Sequence, residues 1–352
     1  MPFDEILGQD RVVRVLKAGL SSGKLHHAYL YYGPCGVGRF KTAGMLAKAL
    51  LCQNPAGEHD PCGTCADCVR VDAENHPDFR VERPLDKGES DEWEVDPERG
   101  EIRIDQVREV EKWLIVRSFH GGWRVCVFDG AEKINRAAAN ALLKTLEEPP
   151  PKSLIVLIST TRTRLPATVQ SRCQALYFPP LPKQEIERVL AGRAQGSRDE
   201  LARVASLSEG SIGRALGLDR EWLFAERVAW FRRIAGFFSG RTRESLVEFI
   251  EELAGSERLM EVLDLLAAWY RDLVVYRGTG ERQRILQSDL SDLMTAYEGE
   301  DDIASLVEKM RAVRQAREDI ERARLNSRLV LEALFLRLSG DSYKADSHGI
   351  AP

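Results

Sequence analysis

Apolar and polar positions change their period along the chain, and each change marks a new element. Val12, Val13, Leu16 and Leu20 recur at helical spacing within residues 4–27, with Gly23 as a stop. Ala28-Tyr29-Leu30-Tyr31-Tyr32 is a short apolar run of strand character. Residues 41–51 (KTAGMLAKALL) return to helical spacing with good helix formers, and this helix is expected to end near Cys52. His76-Pro77-Asp78-Phe79-Arg80-Val81 leads into a strand, whereas residues 83–101, acidic and poor in hydrophobic side chains, read as a solvated loop. Val107, Val110, Trp113 and Leu114 then mark an amphipathic helix over 104–116. A buried-type strand, Arg124-Val125-Cys126-Val127-Phe128-Asp129, is followed by a strong helix over 137–148 (AAANALLKTLEE), stopped by Pro149-Pro150-Pro151. An all-apolar strand over 154–158 and a short one over 175–178 complete the series. Strands alternating with helices predict a parallel sheet with helices on both faces and ligands at the C-terminal strand ends.

Past Pro179-Pro180-Leu181-Pro182, a hinge by composition, strands give way to helices. Residues 183–217 predict three short helices, with Gly210-Ser211-Ile212-Gly213-Arg214 at the last turn. Residues 220–338 are helical in pattern throughout, as in Leu259, Val262, Leu263, Leu266, Trp269 and Tyr270, and residues 345–352 read as a frayed tail. A chain of 352 residues suggests two or three domains.

Composition narrows the classes. With 43% hydrophobic and 30% charged residues, the chain is of the soluble globular kind, and a net charge of -5 argues against a strongly basic nucleic-acid binder. The N-terminal MPFDEILGQD lacks a basic-then-apolar signal pattern, and no apolar run approaches the ~18 residues of a membrane span. A cytoplasmic location without membrane contact is therefore expected. Seven cysteines, four of them clustered, favour a metal over disulfides.

Two constellations carry chemistry. Gly33-Pro34-Cys35-Gly36-Val37-Gly38-Arg39-Phe40 follows the phosphate-binding template G-x-x-x-x-G-K-[ST], with Gly33 and Gly38 at the required separation. It lies between a strand and a helix, so that loop amides and helix N-terminus would point at one anion. Arg39 stands where the template has Lys, and Phe40 where a hydroxyl would ligate Mg²⁺; Lys41-Thr42 comes two residues late. Asp129 ends a strand as a Mg²⁺-steadying carboxylate does, but Gly130 occupies the place of the Glu that polarises water, and Glu132 lies about one turn on. The loop is thus expected to be a nucleotide-binding scaffold that has lost hydrolysis. The second constellation is Cys52, Cys62, Cys65 and Cys68, spaced C-x9-C-x2-C-x2-C with Gly63 in the tight turn. Four thiolates suit a closed, tetrahedral, structural Zn²⁺ site, and His76 nearby is not needed as a ligand.

The series His26-His27-Ala28-Tyr29-Leu30, the GPCGVGR loop, the four-cysteine spacing, Asn140-Ala141-Leu142-Leu143-Lys144-Thr145-Leu146-Glu147-Glu148-Pro149-Pro150 and Ser171-Arg172-Cys173 resembles bacterial clamp-loader subunits of the AAA+ class. The likeness is close over about residues 3–217 and rests on length and pattern beyond. It implies an α/β AAA+ (P-loop NTPase-like) parallel-sheet domain over 1–178 with a zinc module at 52–68, a helical lid over 179–218, an all-α collar for oligomerisation over 219–340 and a flexible tail over 341–352. It also implies a place in a DNA polymerase (nucleotidyltransferase) holoenzyme that loads a sliding clamp onto primed DNA during replication. Expected partners are gamma/tau-like ATPase subunits and a delta-like subunit, with the clamp and DNA met through the complex.

The resemblance further implies roles for single residues. Arg172 of Ser171-Arg172-Cys173 would reach across a subunit interface to a neighbour's ATP as a trans arginine finger. Thr160 would be the strand-end sensor and Arg214 the sensor of the lid, completing a degenerate nucleotide site with Gly33, Gly36, Gly38, Arg39 and Asp129. The departures at Arg39, Phe40 and Gly130 leave ATP or ADP binding open and favour a subunit without turnover. An active gamma/tau-like ATPase is the alternative, but it would need a planar guanidinium to replace a compact ammonium. A zinc-dependent nucleic-acid module is opposed by the acidic balance. For Arg172 a local reading also stands, since helix-end arginines commonly pair with a nearby carboxylate.

Overall fold

The computed structural model describes residues 2–57, 60–87, 93–97, 99–193, 196–219, 222–238, 245–290, 301–321 and 325–339. Strand β1 (Ala28–Tyr32) lies inside a five-stranded sheet with β2 (Phe79–Glu82), β5 (Arg124–Asp129), β6 (Ser153–Ser159) and β7 (Gln174–Tyr177), in the order β2-β5-β6-β1-β7. Every neighbouring pair is parallel, and Leu30 sits in register with Leu157 on one side and Ala175 on the other. All seven residues of β6 are buried, as a central strand covered on both faces requires.

Side-chain alternation divides the sheet residues between two layers. Ala28, Leu30, Cys126, Phe128, Ile155 and Leu157 pack with Val107, Val110 and Leu114 of helix α4 (Ile104–Ile115) and with Ala138, Leu142 and Leu146 of helix α5 (Arg136–Glu147). Helix α2 (Arg39–Leu51) packs against β5 and β6, and α1 (Asp10–Ser21) buries Val12, Leu16 and Leu20 of its predicted stripe.

The acidic segment 83–101 departs from the expected plain loop. Leu85–Lys87 (β3) pairs antiparallel with Trp93–Val95 (β4), and Glu101 bridges back to Leu85. The Arg103 guanidinium lies 3.5 Å from the centroid of the Trp93 ring, so one aromatic side chain supplies what the composition lacked. Gly100 admits the turn, because a Cβ there would lie 2.6 Å from the Asp96 carbonyl oxygen.

Gly33 directly follows β1 with φ +149°, and a Cβ added to it would meet the Phe178 carbonyl oxygen at 2.1 Å. That contact is with backbone, which cannot swing aside. Gly33→Ala is expected to destabilise the chain by about 2–4 kcal/mol, read as a lower urea midpoint at unchanged slope. An unshifted midpoint would show that the strand end relaxes freely.

The chain divides into two compact units, Met1–Leu216 and Gly217–Pro352. In the first, α7 (Lys183–Arg193), α8 (Arg198–Leu207) and α9 (Ile212–Gly217) follow the sheet. The Gly210–Arg214 segment opens α9 instead of closing it, because Ser211 Oγ accepts the Arg214 amide at 3.0 Å and caps the new helix. In the second unit, five regular α-helices among the described residues match the helical pattern. They are α10 (Arg227–Phe238), α11 (Leu246–Ala254), α12 (Leu259–Thr279), α13 (Ile303–Glu321) and α14 (Ser327–Ser339). The pattern read as helical throughout is broken at Gly280, beyond which, as far as Leu290, only short 3-10 turns at Arg282–Arg284 and Ser288–Leu290 are formed. Helix α12 packs along α13, and α14 packs on both α11 and α13. Arg227, fully buried, is paired with Asp289 and donates to Leu223 O, so its charge is compensated inside the bundle. The expected tail at 345–352 lies outside the described residues.

Candidate functional site

The glycine loop turns from the end of β1 into α2, with positive φ at Gly33, Gly36 and Gly38. Gly38 sits at the N-cap of α2, so the loop has the strand-turn-helix form that directs amides toward an anion. Arg39 does not follow that direction. Its guanidinium is buried, with Nη1 donating to the carbonyl of Ser159 at the end of β6 and Nη2 lying 3.6 Å from Cys35 Sγ. A planar fork can satisfy two acceptors on the loop's own walls, where an ammonium would remain a mobile point charge.

The loop is also closed from its other side. The Gly213 amide at the start of α9 donates to Gly36 O at 3.0 Å, and a Cβ on Gly36 would lie 2.2 Å from Ser211 Oγ. Gln9 Nε2 donates to both Val37 O (3.3 Å) and Pro179 O (3.0 Å), tying the loop to the segment that follows β7. Gln9, Ser211 and Gly213 escaped the sequence reading, since nothing in their neighbourhood marks them as partners of a loop many residues away.

At the strand ends, Asp129 is partly buried, and burial raises its carboxyl pKa against the pull of Arg83 and Arg39. Arg83 Nε lies 3.8 Å from Asp129 Oδ2, forks onto Glu74 at 2.7 and 2.8 Å, and stands 5.2 Å from the Phe40 ring centroid. Phe40, in the place of a Mg²⁺-ligating hydroxyl, thus has a cationic neighbour. Glu132 turns to Thr160, its Oε1 accepting the Thr160 amide (3.1 Å) and hydroxyl (2.8 Å), while its Oε2 is buried without a hydrogen-bond partner.

Gly33, Gly36, Gly38, Arg39, Asp129 and Thr160 therefore gather at the ends of β1, β5 and β6 and in the loop after β1. Arg214 and Arg172 are instead engaged by local carboxylates. Arg214 Nη1 lies 3.6 Å from Glu209 Oε2. Arg172, just past α6 (Ala167–Gln170), donates from Nη1 to Thr168 O at 2.8 Å and pairs through Nη2 with Glu147 Oε1 at 2.5 Å. The neighbouring Cys173 is a core thiol, its pKa pushed up to about 12 by burial.

The four cysteines converge. Cys52 follows α2, Cys62 lies in the turn beyond, and Cys65 and Cys68 flank the first turn of α3 (Ala66–Asp72). Their sulfurs all lie within 4.8 Å of one another, at 3.6 Å for Cys52–Cys62, 3.8 Å for Cys52–Cys65 and 4.0 Å for Cys62–Cys68. A tetrahedral site with metal–sulfur bonds of about 2.3 Å has edges of about 3.8 Å, so the spacing fits four thiolates around one metal ion. It is far from the ~2.04 Å of a disulfide. The amides of Cys62, Cys65 and Cys68 donate to the sulfurs of Cys52, Cys62 and Cys65 at 3.4, 3.2 and 3.5 Å, as suits negatively charged sulfur. Amide donation from Thr64 and Cys65 brings the Cys62 pKa down to about 6, whereas burial raises that of Cys68. His76 stays out of the ligand set: its Nδ1 accepts the Asp78 amide at 3.0 Å and its Nε2 lies 3.3 Å from Asp67 Oδ1.

The family described as DNA polymerase III, delta subunit matches residues 8–182, and its C-terminal counterpart matches residues 224–340. The chain is 30% identical over 316 residues to DNA polymerase III subunit delta' of Pseudomonas aeruginosa, covering 88% of this chain and 91% of that one. It is 27% identical over 337 residues to the subunit of the same name in Bacillus subtilis, covering 94% and 96%. It is also similar to DNA polymerase III subunit tau of Escherichia coli, at 28% identity over 297 residues and 81% of this chain but 44% of that one. With a parallel-sheet α/β unit, a helical remainder and near full-length likeness on both sides, the chain belongs to the delta-prime family of DNA polymerase III subunits.

Proposed function

We propose that this clamp-loader subunit does not hydrolyse ATP itself and supplies Arg172 to the ATP site of a neighbouring subunit. The observation that carries the first half is the loop: Arg39 is spent on Ser159 and Cys35, and the position of the Mg²⁺ hydroxyl holds the Phe40 ring. In this reading Asp129, Thr160 and Arg214 support the fold of a degenerate nucleotide site, and the lid contact at Gly213 keeps that site narrow. The division into an AAA+ domain over 1–178, a lid over 179–218 and a collar over 219–340 belongs to the same proposal, as do gamma/tau-like and delta-like partners, the sliding clamp, primed DNA and a cytoplasmic location. No helix among the described residues is long and apolar enough to cross a membrane. We also assign Zn²⁺ to the four-cysteine site, where it would hold the excursion between α2 and β2 in place.

The purified chain alone is expected to release phosphate from ATP no faster than its Asp129→Ala variant. Turnover at the ordinary enzyme scale of ~1 s⁻¹ or faster, lost in that variant, would sink the proposal and favour an active motor.

A further inference from the structure

We propose that Glu147 is a positioning residue for Arg172, holding its guanidinium ready for a phosphate across the subunit interface. The inference rests on the trans role of Arg172 and goes beyond it by naming what orients the finger. Glu147 is the last residue of α5, and Arg172 lies two residues past α6. Both helices pack in one apolar cluster, through Leu146 and Val169, so the two charged side chains project from backbone next to a packed core.

The geometry leaves the guanidinium usable. Nη2 takes Glu147 at 2.5 Å and Nη1 takes Thr168 O at 2.8 Å, which together set the plane of the group. A guanidinium carries five N–H donors, so these anchors do not exhaust it. The side chains of Arg172 and Glu147 are 33% and 51% exposed, so both remain open to solvent. An ion pair this exposed contributes little to folding. Its effect lies in reducing the rotamer freedom that a long arginine would otherwise lose on reaching the transition state. One solvated carboxylate cannot withhold a guanidinium from a polyphosphate, so Glu147 orients Arg172 and does not sequester it.

The test is a double-mutant cycle in the clamp loader reconstituted with the native host's ATPase subunits. Where Arg172→Ala lowers kcat for DNA-stimulated hydrolysis by a factor f, Glu147→Ala is expected to lower it by at least the square root of f. KM for ATP should stay within about twofold, and Glu147→Asp should restore most of the rate. In the Arg172→Ala background, Glu147→Ala should add nothing. The proposal is overturned if Glu147→Ala runs at the wild-type rate while Arg172→Ala does not, or if its loss persists in the Arg172→Ala background. Should Glu147→Ala fail to assemble, Glu147→Gln, which keeps volume and an acceptor oxygen but no charge, decides through the same cycle. Arg172→Ala without any effect would instead remove the trans role on which this inference stands.

Discussion

A Cys65→Ser chain is expected to lose its metal, whereas the wild-type chain should carry one Zn²⁺ by elemental analysis. The substitution separates ligand from cap. Cys65 is the N-cap of α3, its sulfur accepting the Cys68 amide at 3.5 Å, and serine is itself a favoured N-cap. Helix α3 should therefore keep its first turn while the site loses one of four soft ligands. Zinc binding to comparable peptides is worth roughly 10–16 kcal/mol, so the loss should dominate the local energetics of residues 52–68. The sheet has its own core around Leu30, Phe128 and Leu157, and it should survive both the substitution and chelation of the wild type. Hydrogen exchange should rise in the cysteine excursion and remain low in β1, β5 and β6. A wild-type chain without zinc, or a Cys65→Ser chain with full metal content, would refute the assignment. Chelation that melts the sheet along with the excursion would show that the two are one cooperative unit.

The sheet was legible because buried parallel strands are written as unbroken apolar runs: Ala28–Tyr32, Arg124–Asp129 and Ser153–Ser159 appear within a residue or so of their sequence bounds. The cysteine site was legible because its spacing is its geometry. The β3–β4 hairpin was not, since its two short strands, Leu85–Lys87 and Trp93–Val95, lie in a stretch whose charges conceal any period of two. Arg39 shows a different limit. Its identity announced a departure from the phosphate template, but its contact with Ser159 O joins positions 120 residues apart, which no local pattern reports. The same holds for Gly213 against Gly36 and for Glu147 against Arg172, where the chain meets itself through the fold.

Arg172→Ala is expected to leave folding, zinc content and assembly intact while lowering ATP hydrolysis of the reconstituted complex. A guanidinium stays charged at any working pH and forks onto phosphate oxygens, so it can stabilise the charge spread over a transferring phosphoryl group. A trans arginine finger is worth roughly 10³–10⁵ in rate, and the fall should be smaller than this if other sites in the complex carry fingers of their own. In the free chain Arg172 is held by Glu147 and Thr168 O, an exposed pairing worth at most ~1 kcal/mol. Its removal should therefore shift the melting of the isolated chain little. The contrast between a small effect on the chain and a large one on the assembly distinguishes the two readings of this residue. Arg172→Lys should rescue little, because an ammonium cannot fork between two oxygens. If the Ala variant assembles normally and the complex hydrolyses ATP and loads clamps at the wild-type rate, Arg172 is a local helix-end partner of Glu147 and the trans role fails.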